Sequence, residues 1–176
     1  IREVIAKEFL RHDIILSSVK CNEYEKDYLR KVVDGSISEV SMSRALSELS
    51  HMLQKHYAQP AVIIIDEYDT PIQQGYTGGY YEQIIGFMRN LLSGAFKDNS
   101  DLAYGFLTGI LRVAKESIFS GLNNLIVHSI MDEKYSEYFG FTADEVKEMA
   151  EYYEVADKFD DICEWYDGYR FGNEDI

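Results

Sequence analysis

The hydrophobic positions of this chain change from helical to strand-like spacing near Pro60. Before it, apolar side chains recur three and four residues apart, which predicts helices over Ile1–Leu10 and Tyr24–Val33 and a third helix capped by Ser41 that ends at Pro60. The short apolar run Ile14–Leu16 fits either a buried strand or the end of the first helix.

After Pro60 the pattern predicts strands separated by a helix. Ala61–Ile65 is a continuous, mostly β-branched run, typical of a central parallel strand whose two faces are both covered by helices. Tyr81–Phe96 has an amphipathic helical pattern, and further strands are predicted at Ala103–Thr108 and Leu125–His128. A strand, a long helix and a second strand form a βαβ unit, so we expect a parallel sheet with right-handed crossovers.

The rest of the chain predicts helices and turns. Thr142–Glu145 has the spacing of a capping box that opens a helix, and Glu164–Gly172 is an aromatic-rich stretch expected to form a turn. We therefore predict an α/β fold, a parallel sheet with flanking helices, in one domain over residues 1–176. Its parts are a mostly helical lead-in (1–60), a βαβ core (61–130) and a helical C-terminal extension (131–176). Because helical spacing is already present at Ile1, we expect the sequence to be an excerpt of a longer protein.

Charge and cysteine content narrow the classes of function. The 176 residues include 31 Asp and Glu against 17 Lys and Arg, a net charge of −14, so we do not expect direct binding to nucleic acid. Cys21 and Cys163 lack the neighbouring Cys or His residues that a zinc site needs. No apolar run is long enough to cross a bilayer, and no signal-type segment opens the chain. We expect a cytoplasmic protein with reduced thiols and no membrane partner.

The candidate chemistry lies directly after the first predicted strand. Ligands of open parallel sheets bind beyond the carboxyl ends of the strands. A buried strand followed by Asp66 and Glu67 is typical of P-loop ATPases, in which the first carboxylate holds hydrated magnesium and the second orients or deprotonates the attacking water. Asp69 is a further candidate for cofactor contact. The alternative is an acidic turn that only stops the strand, with Pro71 enforcing the bend.

A second candidate group follows the next strand. The hydroxyl of Thr108 could hydrogen-bond a phosphate or the attacking water, and Arg112 could stabilise developing charge. The alternative is a Thr-Gly exit from a strand with an arginine on the surface. No Lys is followed by Ser or Thr, which excludes the GxxxxGK[ST] phosphate loop from this sequence, and the glycine-rich Tyr76–Tyr80 is expected to be a flexible loop.

Several longer sequence segments that include these residues are similar to those of a known family. The chain from about Ser41 onward resembles the bacterial AAA-ATPase-like family, through Val62–Ile72, Phe87–Ser93, Leu107–Asn124, Tyr138–Phe141 and Trp165–Gly172. The resemblance implies an incomplete P-loop ATPase core of the ASCE type with an αβα architecture. It also implies ATP and Mg²⁺ as cofactors, Asp66 and Glu67 as the acidic (Walker B) pair, and Thr108 and Arg112 in the sensor region.

The resemblance also implies partners that this sequence does not include. Members of the family carry an Arg-rich phosphate loop upstream of this region and a nuclease-like domain of the PD-(D/E)XK superfamily downstream of it. We therefore expect an ATP-hydrolysing protein that regulates or powers a partner domain, while this stretch alone should not hold nucleotide tightly. The alternative is a catalytically inactive ATPase-like module that binds other proteins. Nuclease action by the chain itself is disfavoured, because Glu145 and Lys147 lie on a predicted helix with no acidic strand nearby.

Overall fold

A computed structural model describes residues 1–110, 117–119, 122, 125–166, 168, 170–172 and 174–175 of the chain. These residues form two compact units, Ile1–Leu125 and Ile126–Ile176, and each is described by itself below. The fold is α/β and dominated by helices, with a small parallel sheet in the first unit.

The first unit contains most of the predicted helices and strands. Its elements are α1 (Arg2–Arg11), α2 (Glu23–Asp34), α3 (Glu39–Met42), α4 (Ala45–Tyr57), β1 (Ala61–Ile65), α5 (Thr70–Gly78), α6 (Tyr81–Phe96) and β2 (Leu102–Leu107). Short 3₁₀ turns lie at Asp13–Ser17 and Ser117–Phe119. The predictions for α1, α2, α6, β1 and β2 are confirmed to within a few residues. The run Ile14–Leu16, which two interpretations had fitted, lies in the first 3₁₀ turn.

The ends of the early helices follow from local capping. Asn22 forms a reciprocal capping box with Glu25 at the start of α2, and Gly35 ends that helix in the left-handed conformation. The predicted cap at Ser41 is wrong: Ser38 accepts a hydrogen bond from the Ser41 backbone N–H, so Ser41 lies inside the one-turn helix α3. The long helix begins afterwards, at Ala45.

Strands β1 and β2 pair in parallel, as the βαβ pattern predicted. Ile63 is opposite Gly105 and Ile65 is opposite Leu107. The third strand predicted at Leu125–His128 is wrong, because these residues have no regular secondary structure. An apolar run of that length cannot by itself distinguish a strand from an irregular segment.

One face of this small sheet packs on the helical core and the other does not. Ile63 is buried, and Ile65 and Leu107 are partly buried against the core. The alternate side chains point the other way, and in the described structure they are exposed: Val62, Ile64, Tyr104 and Phe106. The prediction that helices cover both faces of β1 is therefore wrong for the part of the chain that the structure describes.

The core of the first unit lies mainly between helices. Phe9 of α1, Met52 of α4 and Leu92 of α6 are fully buried, and Leu29 of α2 is nearly so. These side chains lie on the apolar stripes that the helical spacing predicted. The core therefore supports the sheet from one side and holds β1 and β2 in place.

Helix α5 replaces a segment that we expected to be a flexible loop. The glycine-rich stretch Tyr76–Tyr80 overlaps the end of α5, which runs from Thr70 to Gly78 and ends at Gly79 with positive φ. Buried Gly75 lies so close to α6 that an added Cβ would be 2.4 Å from Cγ2 of Ile84. Glycine is therefore needed here for the close approach of two helices.

The second unit is mostly helical and strongly acidic. Its elements are 3₁₀ turns at Glu133–Tyr138 and Ala156–Lys158, helices α7 (Ala143–Tyr152) and α8 (Phe159–Tyr166), and a short antiparallel pair, β3 (Arg170–Phe171) and β4 (Glu174–Asp175). The capping box between Thr142 and Glu145 is confirmed, whereas the predicted turn at Glu164–Gly172 begins inside α8. Residues 126–176 contain fifteen Asp and Glu against four Lys and Arg, so they carry most of the net negative charge. In neither unit do the described residues form a helix both long and apolar enough to cross a membrane.

Candidate functional site

The parallel pairing brings Asp66 and Thr108 together, although they lie far apart in the sequence. Each follows the last residue of its strand, and parallel strands end at the same edge of a sheet. The Thr108 backbone N–H donates to the Ile65 carbonyl at 2.9 Å, and the Thr108 hydroxyl donates to Oδ1 of Asp66. A carboxylate and a hydroxyl are thus held in contact at the exposed edge.

Glu67 has an unusual backbone conformation for its residue type. Its φ is +52°, in the left-handed region that favours glycine, and its backbone N–H donates to Oδ1 of Asp66 at 3.0 Å. Such a conformation costs of order 1 kcal/mol in a non-glycine residue and persists only when the surrounding structure imposes it. Both Asp66 and Glu67 are exposed, so the turn presents two neighbouring carboxylates to solvent.

Asp69 has a different environment from the other two carboxylates. Its exposed fraction is 1%, and its Oδ2 accepts a hydrogen bond from Nε2 of Gln73 at 2.9 Å. Its backbone carbonyl accepts from the backbone N–H groups of Ile72 and Gln73, both at 3.0 Å, where α5 begins. Asp69 therefore faces the interior, where it contacts the first turn of α5.

One further residue, Arg112, was predicted for the site. Arg112 lies outside the described residues. The sequence did not predict two contacts in this region. Gln73 donates a hydrogen bond to Asp69, and Gly109 lies against the side chains of Asp69 and Tyr68. The signal for the second contact was the glycine directly after Thr108, since glycine often marks a close backbone approach.

This edge of the sheet can offer a magnesium ion few protein ligands, as is usual for Mg²⁺ bound together with a nucleotide. No cluster of three or more His, Cys, Asp or Glu side chains suited to a metal occurs among the residues that the structure describes. Mg²⁺ commonly takes one or two protein carboxylates and completes its shell with water and phosphate oxygens. The exposed carboxylate of Asp66 can supply such a contact, with the hydroxyl of Thr108 beside it.

Comparisons with known proteins identify a family to which the sequence is similar. The family model described as Predicted AAA-ATPase matches residues 9–119, which include β1, the acidic residues and β2. A protein of Azotobacter chroococcum mcd 1 called "Uncharacterized protein in vnfD 5'region" is 34% identical over 127 residues, which cover 70% of this chain. The matched part is only 24% of that relative's length. No solved structure matches the chain significantly. Because the family model covers more than half of the sequence, this chain belongs to the Predicted AAA-ATPase family.

Proposed function

We propose that this protein hydrolyses ATP in the presence of Mg²⁺, with the edge formed by Asp66, Glu67 and Thr108 as part of its active site. The observation that carries the proposal is the contact between Asp66 and Thr108 at the shared end of two parallel strands, with Glu67 exposed beside it. Membership of a family described as predicted ATPases supports the same activity.

The roles of the three side chains follow from their chemistry. Asp66 would hold Mg²⁺, which when bound offsets the negative charge of the phosphates. Glu67 orients the attacking water and accepts its proton, because it is an exposed carboxylate one residue beyond Asp66. Thr108 donates to Asp66 and so fixes the orientation of that carboxylate. Arg112 is proposed to stabilise charge on the phosphates, and hydrolysis is proposed to power or regulate a partner domain of the nuclease-like kind.

The experiment compares Mg²⁺-dependent ATP hydrolysis by the intact protein with that of its Glu67→Gln variant. We expect the variant to bind ATP as tightly as the wild type while kcat falls by about 100-fold or more, within the range of general base catalysis. Glu3→Gln is the control, because it neutralises an exposed carboxylate in α1 and should leave turnover unchanged. Equal turnover in wild type and Glu67→Gln would remove Glu67 from the mechanism.

A second candidate function is that of an ATPase-like module that binds other proteins without hydrolysing ATP. The exposed apolar side chains of the sheet, among them Ile64 and Tyr104, favour it, because contiguous apolar patches are typical of interaction surfaces. Absence of Mg²⁺-dependent hydrolysis in the intact wild-type protein, with nucleotide binding retained or lost, would favour this module over the enzyme.

A further inference from the structure

The turn after β1 separates its residues into an outer and an inner pair. The four residues Asp66–Asp69 are called the acidic turn from here on. Its first two residues, Asp66 and Glu67, are exposed, whereas Tyr68 and Asp69 have exposed fractions of 8% and 1%. The chain bends at Glu67, which has the left-handed conformation and directly precedes the buried pair. The inner pair therefore lies beneath the carboxylates that face solvent.

The inner pair contacts the turn that follows β2. A Cβ added to Gly109 would lie 2.6 Å from Oδ1 of Asp69 and 2.8 Å from Cε1 of Tyr68, both well inside normal contact distances. Gly109 directly follows Thr108. Any side chain at position 109 would therefore push the acidic turn away from the residue whose hydroxyl contacts Asp66.

The inner pair is itself held from three other directions. The Tyr68 backbone N–H donates to the Thr108 carbonyl at 3.1 Å, and the Tyr68 ring packs edge to face on Phe119 with centroids 5.4 Å apart. Gln73 donates to Asp69 from the first turn of α5. Asp69 is thus fixed against α5 on one side and against Gly109 on the other.

We propose that Asp69 is a positioning residue that, by packing on Gly109, fixes the separation between the acidic turn and Thr108. In this role Asp69 does not contact nucleotide or Mg²⁺ but keeps Asp66 and Glu67 in their geometry relative to β2. The catalytic consequence rests on the proposed ATP hydrolysis, whereas the structural consequence does not. This role differs from the cofactor contact that the sequence pattern predicted for Asp69.

Amide hydrogen exchange tests the structural part without any activity. In the intact protein, Gly109→Ala and Asp69→Ala should each speed exchange of the Tyr68 and Thr108 backbone N–H groups by about 10-fold or more, because these two bonds join the acidic turn and the end of β1 to Thr108. Glu67→Gln, which changes only an exposed side chain, is the control and should leave both rates unchanged. Unchanged exchange in Gly109→Ala and Asp69→Ala would overturn the proposal.

The catalytic consequence of the proposal is tested by measuring, for each variant, the change in kcat for ATP hydrolysis and the change in nucleotide affinity. Displacement of the acidic turn should lower kcat by about 10- to 100-fold in both alanine variants, while the Kd for ATP measured without Mg²⁺ stays within about twofold. Asp69→Asn has nearly the same shape and can still accept a bond from Gln73, so it should lose less activity than Asp69→Ala. It also keeps the test decisive if the alanine variants do not fold. An Asp69→Asn variant whose loss lies mainly in Mg²⁺·ATP affinity would overturn the positioning role and make Asp69 a cofactor ligand.

The two proposals fail in different ways. A wild-type protein that hydrolyses no ATP refutes the proposed function, but the exchange rates still decide whether Asp69 and Gly109 hold the turns together. An active wild type with unaltered exchange in both alanine variants refutes the positioning role and leaves the proposed function intact.

Discussion

Replacing Gly75 by alanine tests the packing of α5 on α6 through the sign of its effect. In an unobstructed helix interior, Gly→Ala stabilises by about 0.5–1 kcal/mol, because glycine loses more backbone freedom on folding. At position 75 the new Cβ would lie 2.4 Å from Cγ2 of Ile84, whereas carbon atoms pack at about 3.5–4.0 Å. The helices would have to separate by roughly 1 Å, and overpacking of this kind costs about 1–3 kcal/mol. The clash should exceed the gain from helix propensity.

The structure supplies a matched control and a rescue for this prediction. Gly86 lies inside α6, and a Cβ there would meet nothing within 4 Å, so Gly86→Ala should stabilise the protein. Ile84→Ala removes the clashing methyl group, and in that background Gly75→Ala should stabilise as Gly86→Ala does. The interaction between the two sites should therefore be about 1–3 kcal/mol in a double-mutant cycle.

Thermal unfolding followed by far-ultraviolet circular dichroism provides the measurement. A net loss of about 1–2 kcal/mol corresponds to a decrease in Tm of roughly 2–8 °C for a chain of this size. Gly86→Ala should raise Tm by a few degrees. If Gly75→Ala raises Tm as much as Gly86→Ala, or if its effect is the same with and without Ile84, the described helix packing is wrong.

Three further predictions concern the site, the charge network and a helix cap. Thr108→Val should lower kcat about 10-fold or more through loss of the hydroxyl that orients Asp66, whereas Thr108→Ser should keep most of the activity; equal losses would contradict this role. Burial opposes ionisation of Glu25, but hydrogen bonds from Lys55 and from the Asn22 backbone, together with nearby positive charge, outweigh burial and lower the pKa of Glu25. The ionised Glu25 therefore stabilises the fold above the ordinary glutamate pKa of about 4.3. This stabilisation is lost as pH falls through the lower pKa of the folded state. Glu25→Gln keeps a capping box but loses the charge; it should cost about 1–3 kcal/mol at pH 7 in urea unfolding, and a difference from wild type that does not shrink below pH 4 would refute the linkage. Thr142→Ala removes the cap of α7 and should destabilise that helix by about 1 kcal/mol, measurable as faster amide exchange in its first turn.

Features that depend on neighbours in the sequence were determined by the sequence alone. The β-branched run of β1, the apolar stripe of α6 and the capping box at Thr142 all appear where their local patterns predicted them. Each depends on residues within a turn or a strand of one another, through side-chain periodicity and capping hydrogen bonds. The position of Asp66 and Glu67 at the end of a strand followed from the same reasoning.

Features that depend on packing between distant segments were decided only by the tertiary structure. The pattern that placed Asp66, Glu67 and Asp69 together could not tell that Asp69 is buried and the other two are exposed, because this depends on Gly109, which follows another strand. The run in β1 predicted two covered faces, yet in the described structure the face that includes Ile64 is exposed, since coverage depends on which helices pack there. The local pattern thus predicted that Asp66 and Glu67 directly follow a strand. Asp66 and Thr108 are 42 residues apart in the sequence, and only the parallel pairing of β1 with β2 brings this carboxylate into contact with the Thr108 hydroxyl.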